Sequence, residues 1–286
     1  MLHLSISNKR TKKRTILLLL LGLMNLAVYA QAMGRSSESQ LQLILSPAQQ
    51  SIGQNIQKII GIPSKCGGIN IVLVKIPSGT FRMGSARGRE NEIPVHNVTI
   101  SRDFWMGKYV ITQAQYEGVM GRNPGNWKKP ENPVNQVTWN DVQAFLKELS
   151  ATQKEFDFRL PTEAEWEYAC RAGTTGETYG PLKTIAWYGN ALFGSVHPVG
   201  QKEPNAFGLY DMLGNVFQWC QDIYGPYTAE DQVDPLGPSS GQFRLFRGCS
   251  YPSSKSECSA SFRQFISPNY SYRALGFRIV AIERKP

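Results

Sequence analysis

Histidine is scarce in this chain of 286 residues: three occur, and His3 sits in a basic N-terminal segment, leaving His96 and His197 for the rest. Two histidines cannot build a three-histidine iron or zinc centre within one chain. The five cysteines, Cys66, Cys170, Cys220, Cys249 and Cys258, form no CxxC pair and no close Cys/His set, which speaks against a structural zinc site. Basic runs are also missing beyond the first residues. The formal charge is +9, but residues 1–32 hold five basic and no acidic residues, so the remainder carries only +4. A charge that small, without interleaved aromatics, gives no case for nucleic-acid binding. There is no internal repeat, and the one long apolar run, Ile16 to Ala30, falls short of the roughly 20 residues that span a bilayer.

That run follows Lys9, Arg10, Lys12, Lys13 and Arg14 and precedes Ala30-Gln31-Ala32, the order of a secretory signal with a small-residue cleavage site. Cleavage after Ala32 is expected, leaving Met33 first. The chain is then exported, periplasmic or secreted, and touches a membrane only if the signal stays uncleaved. No cysteine lies just behind the apolar run, which disfavours a bacterial lipid anchor. An oxidising compartment permits disulfides, and five cysteines leave at least one thiol unpaired within a monomer.

Residues 33–68 read as a polar linker with one short helix, in which Ile52, Ile56, Ile59 and Ile60 recur at helical spacing. The main domain is expected over 69–286. Ile69 to Ile76 is a β-rich run, Pro77-Ser78-Gly79 a turn, and Thr80 to Met83 a returning strand. Three helix starts are marked by Thr112 with Gln115, Thr138 with Asp141 and Thr162 with Glu165, each a cap hydroxyl three residues before a side chain that can bond back. Gly121 and Gly173 are expected stops. After Gly173 the chain turns to Gly, Pro, Asn, Tyr and Trp, the texture of irregular loops buried by aromatics.

Six blocks stand in one order: Ile76-Pro-Ser-Gly-Thr-Phe-Arg-Met-Gly84, Pro133-Val-Asn-Gln-Val-Thr-Trp-Asn-Asp-Val142, Arg159-Leu-Pro-Thr-Glu-Ala-Glu-Trp-Glu-Tyr-Ala-Cys-Arg-Ala-Gly173, Asn205-Ala-Phe-Gly-Leu-Tyr-Asp-Met-Leu-Gly-Asn-Val-Phe-Gln-Trp219, Phe246-Arg-Gly-Cys-Ser-Tyr251 and Leu275-Gly-Phe-Arg278. From Ile69 to Val280 the chain resembles the formylglycine-generating enzyme, or sulfatase-modifying factor, family. The resemblance implies an α+β fold related to C-type lectins and low in regular secondary structure. Trp139, Trp166, Trp219, Tyr168 and Phe277 then read as core aromatics rather than ligand contacts.

The family's enzymes oxidise a sulfatase cysteine to formylglycine with copper held by two cysteines. The corresponding positions here are Ser253 and Cys258, so one soft ligand is missing and copper is disfavoured. Cys249 replaces a motif glycine and offers another thiol. The resemblance also implies a disulfide between Cys170 and Cys258, and calcium held by the Asp211 and Gln218 side chains with the carbonyls of Gly214 and Val216. A turn without metal is the alternative, since Gln218 stands where the family has glutamate. The leading expectation is a non-oxidase binding or accessory domain that presents Tyr251, Ser253, Asn269, Tyr270 and Tyr272 to an extracytoplasmic protein or ligand. The alternatives are an oxidase or another enzyme on the same fold and, less favoured, a retroelement-diversified receptor, which uses this fold and ends in a similar Gly-Phe-Arg segment.

Overall fold

A computed structural model describes residues 56–62, 69–192 and 194–284. The expected signal segment and cleavage site, Cys66 and most of the expected linker lie outside the described residues. Among those described, no helix is long and apolar enough to cross a membrane.

The three threonine boxes all form. Thr112 starts α1 (Gln113–Met120), Thr138 starts α2 (Trp139–Thr152) and Thr162 starts α3 (Glu163–Arg171); each hydroxyl accepts from the third residue's backbone N–H while that residue's side chain returns the bond. Each cap answers donors that the first helical turn leaves unpaired and is worth about 1 kcal/mol. Gly121 ends α1 as expected, whereas α3 stops one residue early, at a left-handed Ala172 ahead of Gly173. On α2 the buried stripe is Val142, Phe145, Leu146 and Leu149. On α1, Tyr116 stacks on Phe145 with ring centroids 5.3 Å apart, joining the two helices.

The strands make three sheets. In the first, β1 (Gln57–Ile62), β2 (Ile69–Ile76), β5 (Phe104–Gly107), β12 (Val280–Glu283) and β6 (Phe156–Arg159) lie in that order, all antiparallel. The second runs β10 (Arg263–Ile266), β9 (Arg244–Arg247), β7 (Phe217–Ile223), β11 (Leu275–Gly276), and the third β3 (Gly79–Met83), β4 (His96–Ile100), β8 (Gln232–Val233).

Two expectations fail here. Within the described residues, the segment expected to be a helix is the strand β1, registered Ile60 to Ile71 and Ile62 to Ile69; Ile60 and Ile62 turn inward and Ile59 outward, the period of a strand. The domain therefore starts ahead of residue 69. The strand after the Pro77 turn forms, but it leaves the β2 sheet and pairs with β4 instead.

The core is one large apolar cluster centred on Trp166, Trp219, Phe145 and Phe277, all fully buried. Tyr168 is buried too, whereas Trp139 is half-buried under the Arg244 guanidinium, 3.9 Å from its ring centre. With so little regular structure, buried arginines bond many of the loop carbonyls. Arg247 is fully buried and reaches Glu167 and the carbonyls of Ala260 and Ser261; Arg263 clamps Glu163 at 2.6 and 2.7 Å; Arg171 holds the other Glu167 oxygen at 2.7 Å. Guanidinium groups suit this role because their donors lie in a fixed planar fork.

Candidate functional site

The loop after β9 begins at Cys249 and returns at Cys258, and these two cysteines are bonded to each other, with Cα atoms 4.9 Å apart. This corrects the expected Cys170–Cys258 pairing. Cys170 is a free, fully buried thiol on α3, and burial pushes its pKa up to about 12, so it carries no thiolate character near neutrality. Cys220 is likewise free, buried and raised.

Inside the ring Ser253 is buried rather than presented: its hydroxyl accepts from the Ser250 N–H at 3.2 Å, and Gly189 donates to its carbonyl at 2.8 Å. Copper therefore does not fit. One ligand position holds a serine tied to its own loop, and the other holds a sulfur already bonded to Cys249.

Tyr251 is buried as well, its ring edge against Trp127 at 5.6 Å, and it shares a small apolar cluster with Val110, Val196, Val216, Ala274 and Tyr272. Asn269 and Tyr270 are exposed, and Asn269 is tied through Asn140 to α2. The five residues expected to form one recognition loop thus divide. Tyr251 and Ser253 support the loop from inside, Tyr272 is half-buried beside Tyr251, and Asn269 with Tyr270 stands outside.

The chain supplies a neighbouring wall that the sequence reading passed over. Trp187 and His197 stack with centroids 3.8 Å apart, and the Lys202 ammonium stands 4.0 Å from the Trp187 ring centre. Asn215 fixes the pair: its side chain accepts from the His197 N–H at 3.0 Å and donates to the His197 carbonyl at 2.9 Å. Gly214 lets the chain approach, since a Cβ there would meet the Trp187 backbone at 2.6 Å. Burial first, then Lys202 and Lys129, hold His197 below its ordinary pKa, so its ring is neutral at pH 7. Asn190 donates to the Tyr251 carbonyl at 2.9 Å, joining wall and loop. The Trp187 Nε1–H and the Tyr251 hydroxyl are both buried and find no partner among the described residues. An unmet buried donor costs about 1–3 kcal/mol, which an incoming acceptor can recover.

Of the expected calcium ligands, Asp211 and Gln218 meet, but through a hydrogen bond rather than as a cation site. Gln218 Oε1 accepts from Trp166 Nε1 and from Arg278 Nε, both at 2.9 Å, and Gln218 Nε2 donates to the Asp211 carbonyl at 2.7 Å. Two donors occupy both lone pairs of that oxygen. The buried Asp211 carboxyl accepts from Gly200 N–H at 2.8 Å; burial raises its pKa while that bond, Arg278 and Asn215 lower it. Arg278, fully buried, is the cation of this cluster, so these residues do not fit calcium.

Residues 70–282 match the sulfatase-modifying factor enzyme 1-like domain. The formylglycine-generating enzyme of Streptomyces coelicolor is 30% identical to this chain, over 72% of the chain and 87% of that protein. Among solved structures, Treponema denticola variable protein 1 superposes with a TM-score of 0.72 at 27% identity, covering 79% of this chain and 99% of that one. PvdO from Pseudomonas aeruginosa gives 0.67 at 26%, covering 73% and 94%. With its six ordered motifs and its α+β core, the chain belongs to the family of the sulfatase-modifying factor enzyme 1-like domain.

Proposed function

We propose that this chain is a non-oxidising member of its family, exported from the cytoplasm, that recognises a protein or ligand with the surface formed by the C-terminal loop and the Trp187–His197 wall. The observation that carries the reading is the Cys249–Cys258 bond beside Ser253, which leaves no pair of free thiols at the loop. Export is supported by the basic and apolar N-terminal segment and by the bond itself, since structural disulfides persist in oxidising compartments. Recognition is supported by half-buried Trp187, His197 and Tyr272 and exposed Trp127 around two unmet donors, a mixture that offers rigid contact area and hydrogen bonding.

Two experiments test this. A sulfatase-type cysteine peptide, incubated with the protein, copper and reductant and followed by mass spectrometry, is expected to stay unconverted. A photo-crosslinking residue at Tyr270 or Tyr272 is expected to capture one discrete partner in the exporting cell, while the same residue at exposed Lys147 on α2 captures none. Turnover of the peptide that vanishes in Cys258→Ala overturns the reading.

The second reading, an oxidase with altered ligands, is favoured by one observation: Cys249 and Cys258 are close enough that reduction would leave two adjacent thiols. Copper(I) titration of the reduced protein, with Cys249→Ala as control, decides between the two.

A further inference from the structure

A cavity of about 380 Å³ opens between α3, the end of β7 and the 225–238 segment. Its walls are Met83, Ile223, Pro235, Leu236 and Pro238, with His96, Asp222, Tyr227, Gln232, Glu163 and Arg263 as the polar lining. It shares no lining residue with the C-terminal loop or the Trp187 wall, so nothing here rests on the function proposed above.

The bonding of the polar lining is uneven. Arg263 spends Nε and Nη2 on Glu163 and Nη1 on the carbonyls of Asn91 and Gly225, with its flat face 3.9 Å from the Tyr227 ring centre. Glu163 is satisfied by Arg263 and by the Tyr227 hydroxyl, which donates at 3.2 Å. Gln232 gives its Nε2 to Thr228 at 3.0 Å, and His96 uses Nδ1–H on the Pro94 carbonyl at 3.1 Å. Asp222 accepts from the Glu163 N–H through Oδ2 at 2.8 Å, capping α3.

Among the described residues, Asp222 Oδ1, His96 Nε2 and Gln232 Oε1 take no bond from another residue, and all three stay open to solvent in the cavity. All three are acceptors. Asp222 is 5% exposed and His96 4%. Gly237, at φ +71°, lies against Asp222 in this lining; a Cβ there would meet the Ile223 carbonyl at 2.9 Å and stand 3.6 Å from Asp222 Oδ1.

A set of open acceptors in an apolar cleft calls for a ligand that brings donors and buries hydrocarbon. An anion has nothing to meet, because the cation in the lining is committed to Glu163. A multivalent metal has too few ligands, since no three His, Cys, Asp or Glu side chains converge for one among the described residues. We propose that this cavity binds a small apolar amine, its ammonium held by Asp222 Oδ1 and its body lying on Met83, Ile223 and Leu236.

The charges around Asp222 add a second signature. Glu163 and Glu165 face it from α3, Arg159 from β6, Arg244 from β9 and Cys220 from its own strand. Burial, then Glu163, raise its pKa to about 7. A cationic ligand prefers the ionised form, so protons compete with it as pH falls.

Calorimetry on the whole protein with cyclohexylamine, cyclohexanol, cyclohexanecarboxylate and Nα-acetyl-lysine amide tests this. Cyclohexylamine is expected to bind about tenfold more tightly than the alcohol and the acid, and about tenfold more tightly at pH 8 than at pH 6. It should also exceed the lysine derivative; the reverse order would assign the cavity to a lysine side chain and overturn the free-amine proposal. Asp222→Asn keeps an acceptor for the Glu163 N–H, and should abolish both the preference and the pH dependence. Leu236→Ser, at an exposed wall residue, should weaken binding severalfold without lowering Tm. Equal heats for amine and alcohol, pH-independent binding, or no amine binding at millimolar concentration each refute the proposal.

Discussion

Removing both cysteines of the C-terminal loop, Cys249→Ala with Cys258→Ala, tests the central feature of the site. The bond joins residues nine apart, and cross-linking so short a loop restricts the unfolded chain by about 3 kcal/mol. For a domain of this size each kcal/mol moves Tm by about 2–4 °C, so the double variant should melt roughly 6–12 °C lower. Both sulfurs are buried, so a mild reductant that cannot enter the fold should leave the parent's Tm unchanged, and reduction should follow unfolding. The assay is differential scanning calorimetry of parent, double variant and Cys170→Ala, with non-reducing peptide mapping of the parent. Cys170→Ala removes only a buried thiol and should cost less than half as much. A linked peptide joining Cys170 to Cys258, or a double variant that melts with the parent, refutes the pairing.

The pH profile of stability carries a signature of Asp222. Its folded pKa of about 7 lies above the ordinary aspartate value of 3.8, so the folded state binds more protons between these limits and stability falls as pH rises through that window. The integrated loss is up to about 4 kcal/mol, and Asp222→Asn should remove this component in denaturant titrations at pH 5 and pH 8. Millimolar calcium should leave Tm unchanged, while Arg278→Met should cost on the order of 3–5 kcal/mol because Asp211 and the carbonyls of Gly107 and Tyr210 lose their cation. Glu167→Gln should cost a similar amount, since Arg171 and Arg247 share that carboxylate; a change below about 1 kcal/mol by chemical denaturation would show that the network relaxes.

What could be read from the sequence was what is local. A cap needs its hydroxyl and its partner three residues apart, so Thr112, Thr138 and Thr162 announced their helices, Asp141 included. The motif aromatics Trp166, Trp219 and Phe277 reached the core for the same reason that they stood out: they are the largest apolar side chains in a loop-rich chain. Partners are another matter. Ile56, Ile59 and Ile60 fit a helix by spacing, but the hydrogen bonds offered by Ile69 to Val74 make Ile60 and Ile62 the buried alternation of a strand. Which sheet Gly79–Met83 would join depends on β4, which the turn at Pro77 cannot specify.

At the site, the missing thiolate at Ser253 was legible, and the cysteine pairing was not. The family resemblance pointed Cys258 at α3, while Cys249, peculiar to this motif, was nearer. Trp187, His197 and Lys202 carried no signal as single residues; Asn215 and Gly214 bring them together from the opposite side of a turn. Nor could charge patterning show that Arg278 would lie against Gln218, because only the fold sets a C-terminal arginine inside a segment 60 residues earlier.

The ten-residue ring from Cys249 to Cys258 sets how this surface can change. It is closed upon itself and borrows no anchor from α3, and its crown, Ser254 to Ser256, is exposed between buried half-cystines. Ser254 and Glu257 cap the short turn of this hoop, so new side chains at Lys255 would be presented on a stapled turn that those two residues hold. The hoop is thus a graft point, where sequence can diversify while the arginine-bound interior stays as it is.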